Sequence, residues 1–173
     1  MRRLWACFIY CTSIGILSHY VGLALSHHHR FRIGRFPWRA LSWEREGRFW
    51  QDTLNVRGWM NSVPDMSRIA SDMVPKRLDP PVTVEKVDVL VRETCVAELI
   101  HWLLALFGFG CLWIWKGIGG LVLSLAFAVG NLPYIIIQRY NRPGLVRLRN
   151  RLLLRAKEDA AEENTNYTEV RHT

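Results

Sequence analysis

Two apolar runs, Leu99–Trp115 and Ile118–Ile137, are separated by little more than Lys116-Gly117. They are 17 and 20 residues long, and a helix that crosses a bilayer needs about 20 apolar residues, with about 17 at the short end. A turn this tight makes the two helices antiparallel neighbours. Both polar ends, Arg92–Trp102 and Asn131–Pro143, therefore meet at one face of the membrane. Every other assignment in the chain has to accommodate that hairpin.

A third apolar run, Leu4–Leu25, follows Met1-Arg2-Arg3. The basic start, the hydrophobic stretch and the small residues Ala24 and Ser26 resemble a signal peptide. At 22 residues, however, the run exceeds the roughly 7–15 of a signal core, and an uncleaved first helix is expected. Half of the 173 residues are hydrophobic, and they are concentrated in these three runs. The sequence thus predicts a single all-α integral-membrane domain. Its parts are a first helix or signal anchor over 4–25, an interfacial region over 26–98, a transmembrane hairpin over 99–137, and a basic amphipathic segment with a disordered tail over 138–173.

The net charge of +8 lies outside the spans, where basic residues set topology and meet anionic lipid, so nucleic acid is not an expected partner. Within about 20 positions, seven basic residues follow Ile137 (Arg139, Arg142, Arg147, Arg149, Arg151, Arg155 and Lys157), against Lys116 alone in the hairpin turn. This contrast places the tail in the cytoplasm and, two crossings away, Ser26–Glu98 as well. Arg30–Trp50 interleaves arginines with Phe31, Phe36, Trp38, Trp43, Phe49 and Trp50, as expected of a segment lying in the headgroup region. The prolines from Pro64 to Pro81 mark a loop, and a helix is expected from about Glu85 into the second span. Pro143-Gly144 is expected to end the third helix ahead of a basic amphipathic Leu145–Lys157.

Cys7, Cys11, Cys95 and Cys111 contain no CxxC pair and imply buried packing, with no disulfide framework. The run His27-His28-His29-Arg30 reads as a basic interfacial collar, because consecutive residues on a helix point about 100° apart and do not converge on a metal. No metal or other cofactor is expected.

Polar groups inside apolar helices require a reason. His19 lies near the Ser26 end of the first run, His101 in the first turn of the second, and Asn131 about two turns from the polar end of the third. Glu98 and His101 are i and i+3 on one helix and share a face. A carboxylate there orients one imidazole nitrogen and leaves the other to act as a general base toward a hydroxyl. Glu93, Asn131, Gln138, Arg139, Asn141 and Arg142 surround this pair as candidate substrate-binding residues. Two arginines suit phosphate or carboxylate recognition and equally suit topology anchors. An ExxH pair also occurs structurally at membrane interfaces.

The residues Glu93-Thr94-Cys95, Ala97-Glu98, His101-Trp102, Asn131-Leu132-Pro133 and Gln138-Arg139-Tyr140-Asn141-Arg142-Pro143 resemble the glycosyl-4,4'-diaponeurosporenoate acyltransferases of bacterial carotenoid synthesis. The spacing Glu44…Gly47…Trp50…Val56…Trp59…Pro64 is similar as well, and the likeness covers roughly Ser42 to Leu145. It departs at Met60, Val96 and Gly144, where the family is expected to carry basic residues. The resemblance implies a membrane acyltransferase that moves a fatty acyl group from an acyl-CoA or acyl carrier onto a sugar hydroxyl of a glycosylated carotenoid. The reaction would take place at the inner face of a bacterial cell membrane. The competing classes are a small non-enzymatic assembly or lipid-binding membrane protein, and a metal-dependent oxygenase.

Overall fold

The computed structural model describes residues 1–26, 36–64 and 80–171, with side chains up to residue 162. The His27-His28-His29-Arg30 run and the 65–79 part of the expected loop lie outside the described residues.

The described chain is all-α, and three of its helices are long and apolar enough to cross a membrane. The first, α1 (Arg2–Ser26), is followed by a 3-10 turn over Ser42–Gly47 and two short helices, α2 (Arg48–Leu54) and α3 (Val56–Trp59). Next come α4 (Val84–Phe107), a 3-10 turn over Gly108–Gly110, α5 (Cys111–Ile114) and the long α6 (Ile118–Arg171).

The start of α4 follows from its cap. Thr83 is extended, and its hydroxyl accepts a hydrogen bond from the Lys86 N–H at 3.3 Å, one of the donors that a helix start otherwise leaves unpaired. The helix does not run unbroken to the hairpin. At Gly108–Gly110 it tightens into 3-10 geometry, and Ser124 of α6 donates its hydroxyl to the Gly108 carbonyl at 3.2 Å. The turn itself depends on Gly117, whose φ of 98° lies in the left-handed region that side chains avoid. From there α6 runs back antiparallel along α4.

The two long helices meet through matching stripes. On α4 the buried positions include Val87, Val91, Thr94, Glu98 and Ala105, and on α6 they include Ser124, Asn131, Ile135, Gln138 and Arg142. Steps of three, four and seven residues keep each stripe on one face of its helix. The first helix packs antiparallel to α4. Tyr10 donates to the Phe107 carbonyl at 2.8 Å near the hairpin turn, while Gly22 lies beside Val96 and Ile100 near the polar end. Its other face, with Trp5, Phe8, Ile9, Ile16, Leu17 and Tyr20, is exposed, as a lipid-facing surface would be. Cys11 and Cys111 bring their sulfurs to 3.6 Å between α1 and α5, and all four cysteines are free thiols.

Two expectations for the third helix are corrected. Pro143-Gly144 does not end it, and Glu158–Arg171 continues it as helix where the composition implied a disordered tail. Proline removes one N–H from the ladder, the bond that the Arg139 carbonyl would accept, at a cost of about 3 kcal/mol. Side-chain anchors on both sides offset that loss. Arg139 and Arg142 are tied down before Pro143, and Arg149 pairs with Asp88 of α4 after it. At 1.5 Å per residue the whole of α6 is about 80 Å long, far more than a bilayer crossing requires.

Candidate functional site

Among the described residues between α1 and α4, the turn over Ser42–Gly47 brings Glu44 to the site. Arg45 and Glu46 adopt left-handed backbone (φ 48° and 57°), and Gly47 follows at φ 92°. Left-handed geometry costs ordinary residues roughly 1–2 kcal/mol each. Gly47 is needed for a second reason: a Cβ there would lie 2.9 Å from the Tyr140 carbonyl of α6. The turn therefore sits directly on the α6 backbone and turns the Glu44 side chain inward, where the residue is only 1% exposed.

Glu44 meets Arg139 in a two-pronged ion pair. Nε donates to one carboxylate oxygen at 2.5 Å and an Nη to the other at 2.8 Å. The same carboxylate accepts the Leu41 N–H at 2.7 Å and the Trp50 indole N–H at 3.1 Å. Burial by itself pushes the Glu44 carboxyl up. The Arg139 fork, the Leu41 amide and the Trp50 indole outweigh it and hold the group below its ordinary value.

Arg139 also reaches Glu98, donating at 2.7 Å, and the second Glu98 oxygen accepts from Arg142 at 2.5 Å. Arg142 completes its set with the Thr94 hydroxyl and carbonyl, both at 2.9 Å, and the Trp38 carbonyl at 3.0 Å. Two carboxylates and two guanidiniums thus form a neutral buried chain, Glu44–Arg139–Glu98–Arg142. It joins the interfacial turn to α4 and α6. The net attraction of such a chain is modest because all four charges leave water, but removal of one member strands its partner, at about 3–5 kcal/mol.

One turn deeper lies a second group. The Nδ1 of His101 and the Oδ1 of Asn131 are 2.9 Å apart, and the His101 ring stacks on Tyr134 with centroids 4.4 Å apart and planes within 9°. The Asn131 amide nitrogen donates to the Phe127 carbonyl, one turn back on α6, at 2.8 Å. That bond fixes the amide orientation, because only the –NH₂ end can donate to a carbonyl. Oδ1 therefore faces the imidazole as an acceptor, and Nδ1 must carry hydrogen. In the neutral ring the lone pair is then on Nε2.

The expected site residues thus fall into two groups. His101 and Asn131 come together, and so do Glu98, Arg139 and Arg142. The expected Glu98–His101 pairing is replaced: both Glu98 oxygens are bonded to arginines, and Asn131 holds Nδ1. The guanidiniums outcompete an imidazole for the carboxylate because they are permanently charged and forked. Gln138 is 5% exposed, on the α6 stripe between the two groups. Glu93 and Asn141 are half-buried and contribute no hydrogen bond to either group among the described residues. His19 is half-buried on α1 with its ring edge-on to Tyr20 at 5.6 Å. Glu44, Thr94 and Tyr134 were not among the expected site residues. Glu44 and Thr94 do fall within the family-like spacing, whereas nothing local marks Tyr134 as the ring beneath His101.

A cavity of about 290 Å³ opens beside the charged chain, lined by Trp38, Arg39, Glu46, Val146, Arg147 and Asn150 among others. Glu44, Arg139 and Arg142 also contribute to its lining. Among the described residues, no three His, Cys, Asp or Glu side chains gather closely enough to hold a metal ion.

Comparison with known proteins gives one consistent result. A family model described as glycosyl-4,4'-diaponeurosporenoate acyltransferase matches residues 35–151. The protein of that name from Staphylococcus aureus strain N315 is 30% identical over 121 residues, which is 68% of this chain and 71% of that protein. The counterpart from strain MRSA252 is 29% identical over 120 residues, with the same coverage. No solved structure matches. The matched range takes in the Glu44 turn, the charged chain and the His101–Asn131–Tyr134 group.

Proposed function

Because the chain belongs to the glycosyl-4,4'-diaponeurosporenoate acyltransferase family and is an acyltransferase, we propose that it moves a fatty acyl group onto a sugar hydroxyl of a glycosylated C30 carotenoid at the cytoplasmic face of a bacterial membrane. The observation that carries this reading is the His101–Asn131 pair. An imidazole whose Nδ1–H is held by a fixed amide presents Nε2 as a base, and a ring stacked on Tyr134 keeps its plane. The arrangement follows the base-plus-orienter logic of acyl transfer, with a neutral amide as orienter.

His101 takes the proton from the acceptor hydroxyl as that oxygen attacks the carbonyl of the acyl donor. The tetrahedral intermediate collapses, the C–S bond of a thioester donor breaks, and the imidazolium returns its proton to the leaving thiolate. Glu98, Arg139 and Arg142 act as positioning residues, because the charged chain fixes the register of α4 against α6 and thereby places His101 over Tyr134. Arg139 and Arg142 spend most of their N–H donors on protein acceptors, which makes positioning their main role. Exposed Trp102, Leu106 and Phe107 on α4 suit entry of the carotenoid acceptor from the lipid side.

The chain crosses the membrane more than once in this reading, with α1, α4–α5 and α6 as the spans. Seven basic residues within about 20 positions after Ile137, against one in the hairpin turn, support polar ends that face inside. The acyl donor then arrives from the cytoplasm as an acyl-CoA or an acyl carrier thioester. Mass spectrometry of lipid extracts tests the assignment. Cells that make the glycosylated carotenoid should gain a species heavier by one fatty acyl residue when this chain is expressed. An unchanged carotenoid profile, with the protein present in the membrane, would overturn it.

A further inference from the structure

The cavity beside the charged chain has a lining that the acyl transfer step does not use. Its deep side is formed by Glu44, Arg139 and Arg142, one carboxylate against two guanidiniums whose N–H donors go mostly to protein acceptors. Its rim carries Arg39, Arg147 and Asn150, with apolar surface from Trp38 and Val146. Arg147 donates to Glu46 at 2.8 Å across the mouth, and both side chains are exposed, at 48% and 72%. Such a surface pair contributes little to stability and exchanges readily. The Glu46 that closes it is held in left-handed backbone (φ 57°), and strain of this kind gathers at ligand clamps.

We propose that this cavity binds the phosphate of a phosphopantetheine thioester, the head common to acyl-CoA and acyl carrier donors. Arg39 and Arg147 hold the phosphate, and Glu46 is an internal competitor that releases Arg147 when the phosphate arrives. The proposal deepens the acyltransferase reading and rests on it for the identity of the ligand. At about 290 Å³ the cavity lies just under the usual 300–1,000 Å³ of pockets that enclose a drug-sized molecule. It accommodates a phosphate and the start of the arm, and leaves the nucleotide or carrier protein outside. From Tyr134 to Pro143 is nine residues of α6, about 13 Å at 1.5 Å per residue, a distance an extended pantetheine arm covers on its way to His101. Beyond Arg147 the same face of α6 presents exposed Arg151 and Arg155 to the anionic remainder of the donor.

The test is a titration of the full chain in nanodiscs with coenzyme A, 4'-phosphopantetheine and phosphate-free pantetheine, with no acceptor present. Arg39→Ala and Arg147→Ala should each weaken coenzyme A roughly tenfold, the size of one charge-assisted hydrogen bond. Glu46→Gln should tighten it, an opposite sign that a merely structural ion pair would not give. Equal affinity for coenzyme A and 4'-phosphopantetheine supports recognition of the arm shared with carrier proteins. Tighter coenzyme A binding with the same arginine dependence supports the site with coenzyme A as its source. Pantetheine binding as well as its phosphorylated form, or unchanged affinity in both arginine variants, would overturn the proposal. Running the titrations in His101→Ala keeps the readings apart, because binding there should be intact even though turnover is lost.

Discussion

Asn131 decides the protonation of His101, and that decision comes from a bond on the far side of the amide. Its –NH₂ donates to the Phe127 carbonyl, so Oδ1 must accept from Nδ1–H. Asn131→Leu removes the acceptor and frees the ring to take either tautomer. It should lower kcat by roughly tenfold or more while KM for the acceptor stays near its original value, and steady-state kinetics on matched membranes distinguishes that outcome from general unfolding. Gly47 makes a different demand. A methyl group there meets the Tyr140 carbonyl in a backbone region that alanine avoids, so Gly47→Ala should destabilise the protein by about 1–2 kcal/mol, visible as a lower Tm in detergent. His101 and Asn131 were legible in the sequence because polar side chains inside apolar runs are conspicuous. The partner of each was not, since Asn131 is thirty positions from His101 and only the helix register brings them together.

The elements are held in register by charge as much as by apolar packing. Asp88 pairs with Arg149, Thr94 and Glu98 with Arg142, and Glu98 with Arg139, stepping up α4 as they step down α6. Arg139→Met strands the buried Glu44 carboxylate, leaves Glu98 with Arg142 alone, and should cost about 3–5 kcal/mol. Glu44→Gln combined with Arg139→Gln should cost less than the sum of the single changes. The pH dependence has a definite sign. Glu44 is held below its ordinary carboxylate value in the folded protein, so its stabilisation is fully present above the unfolded value, near 4.3 for a glutamate. It is lost as pH falls through the lower folded value. Thermal scans from pH 7 down to pH 3 should therefore show a steeper acid loss in the native chain than in Glu44→Gln. The hairpin was legible from two apolar runs and a glycine turn. The continuation of α6 through Pro143 was not, because proline is a local stop signal while the ion pairs that override it are tertiary. The left-handed Arg45-Glu46 turn was equally hidden, since neither residue type announces that conformation.

At the scale of the whole molecule, three long helices carry a polar assembly at one end and an apolar surface along their length. Topology then fixes which compartment supplies each substrate. Ser62→Cys, beside α3, and Ala156→Cys, on α6, each place a thiol at an exposed position. An impermeant thiol reagent added outside intact cells should label neither above the background of the native cysteines. Strong labelling at either would move the polar end to the outer face. In the proposed reaction His101 is the base of acyl transfer. The most direct test of that role is the initial rate of acyl transfer from a fatty acyl thioester to the glycosylated carotenoid, measured with His101→Ala and the native chain at equal protein in matched nanodiscs. General base catalysis contributes typically about 10²–10⁴-fold, so the variant should lose that much turnover while remaining folded and able to bind coenzyme A. A near-native rate would show that His101 packs against Tyr134 for structure alone and that another group takes the proton.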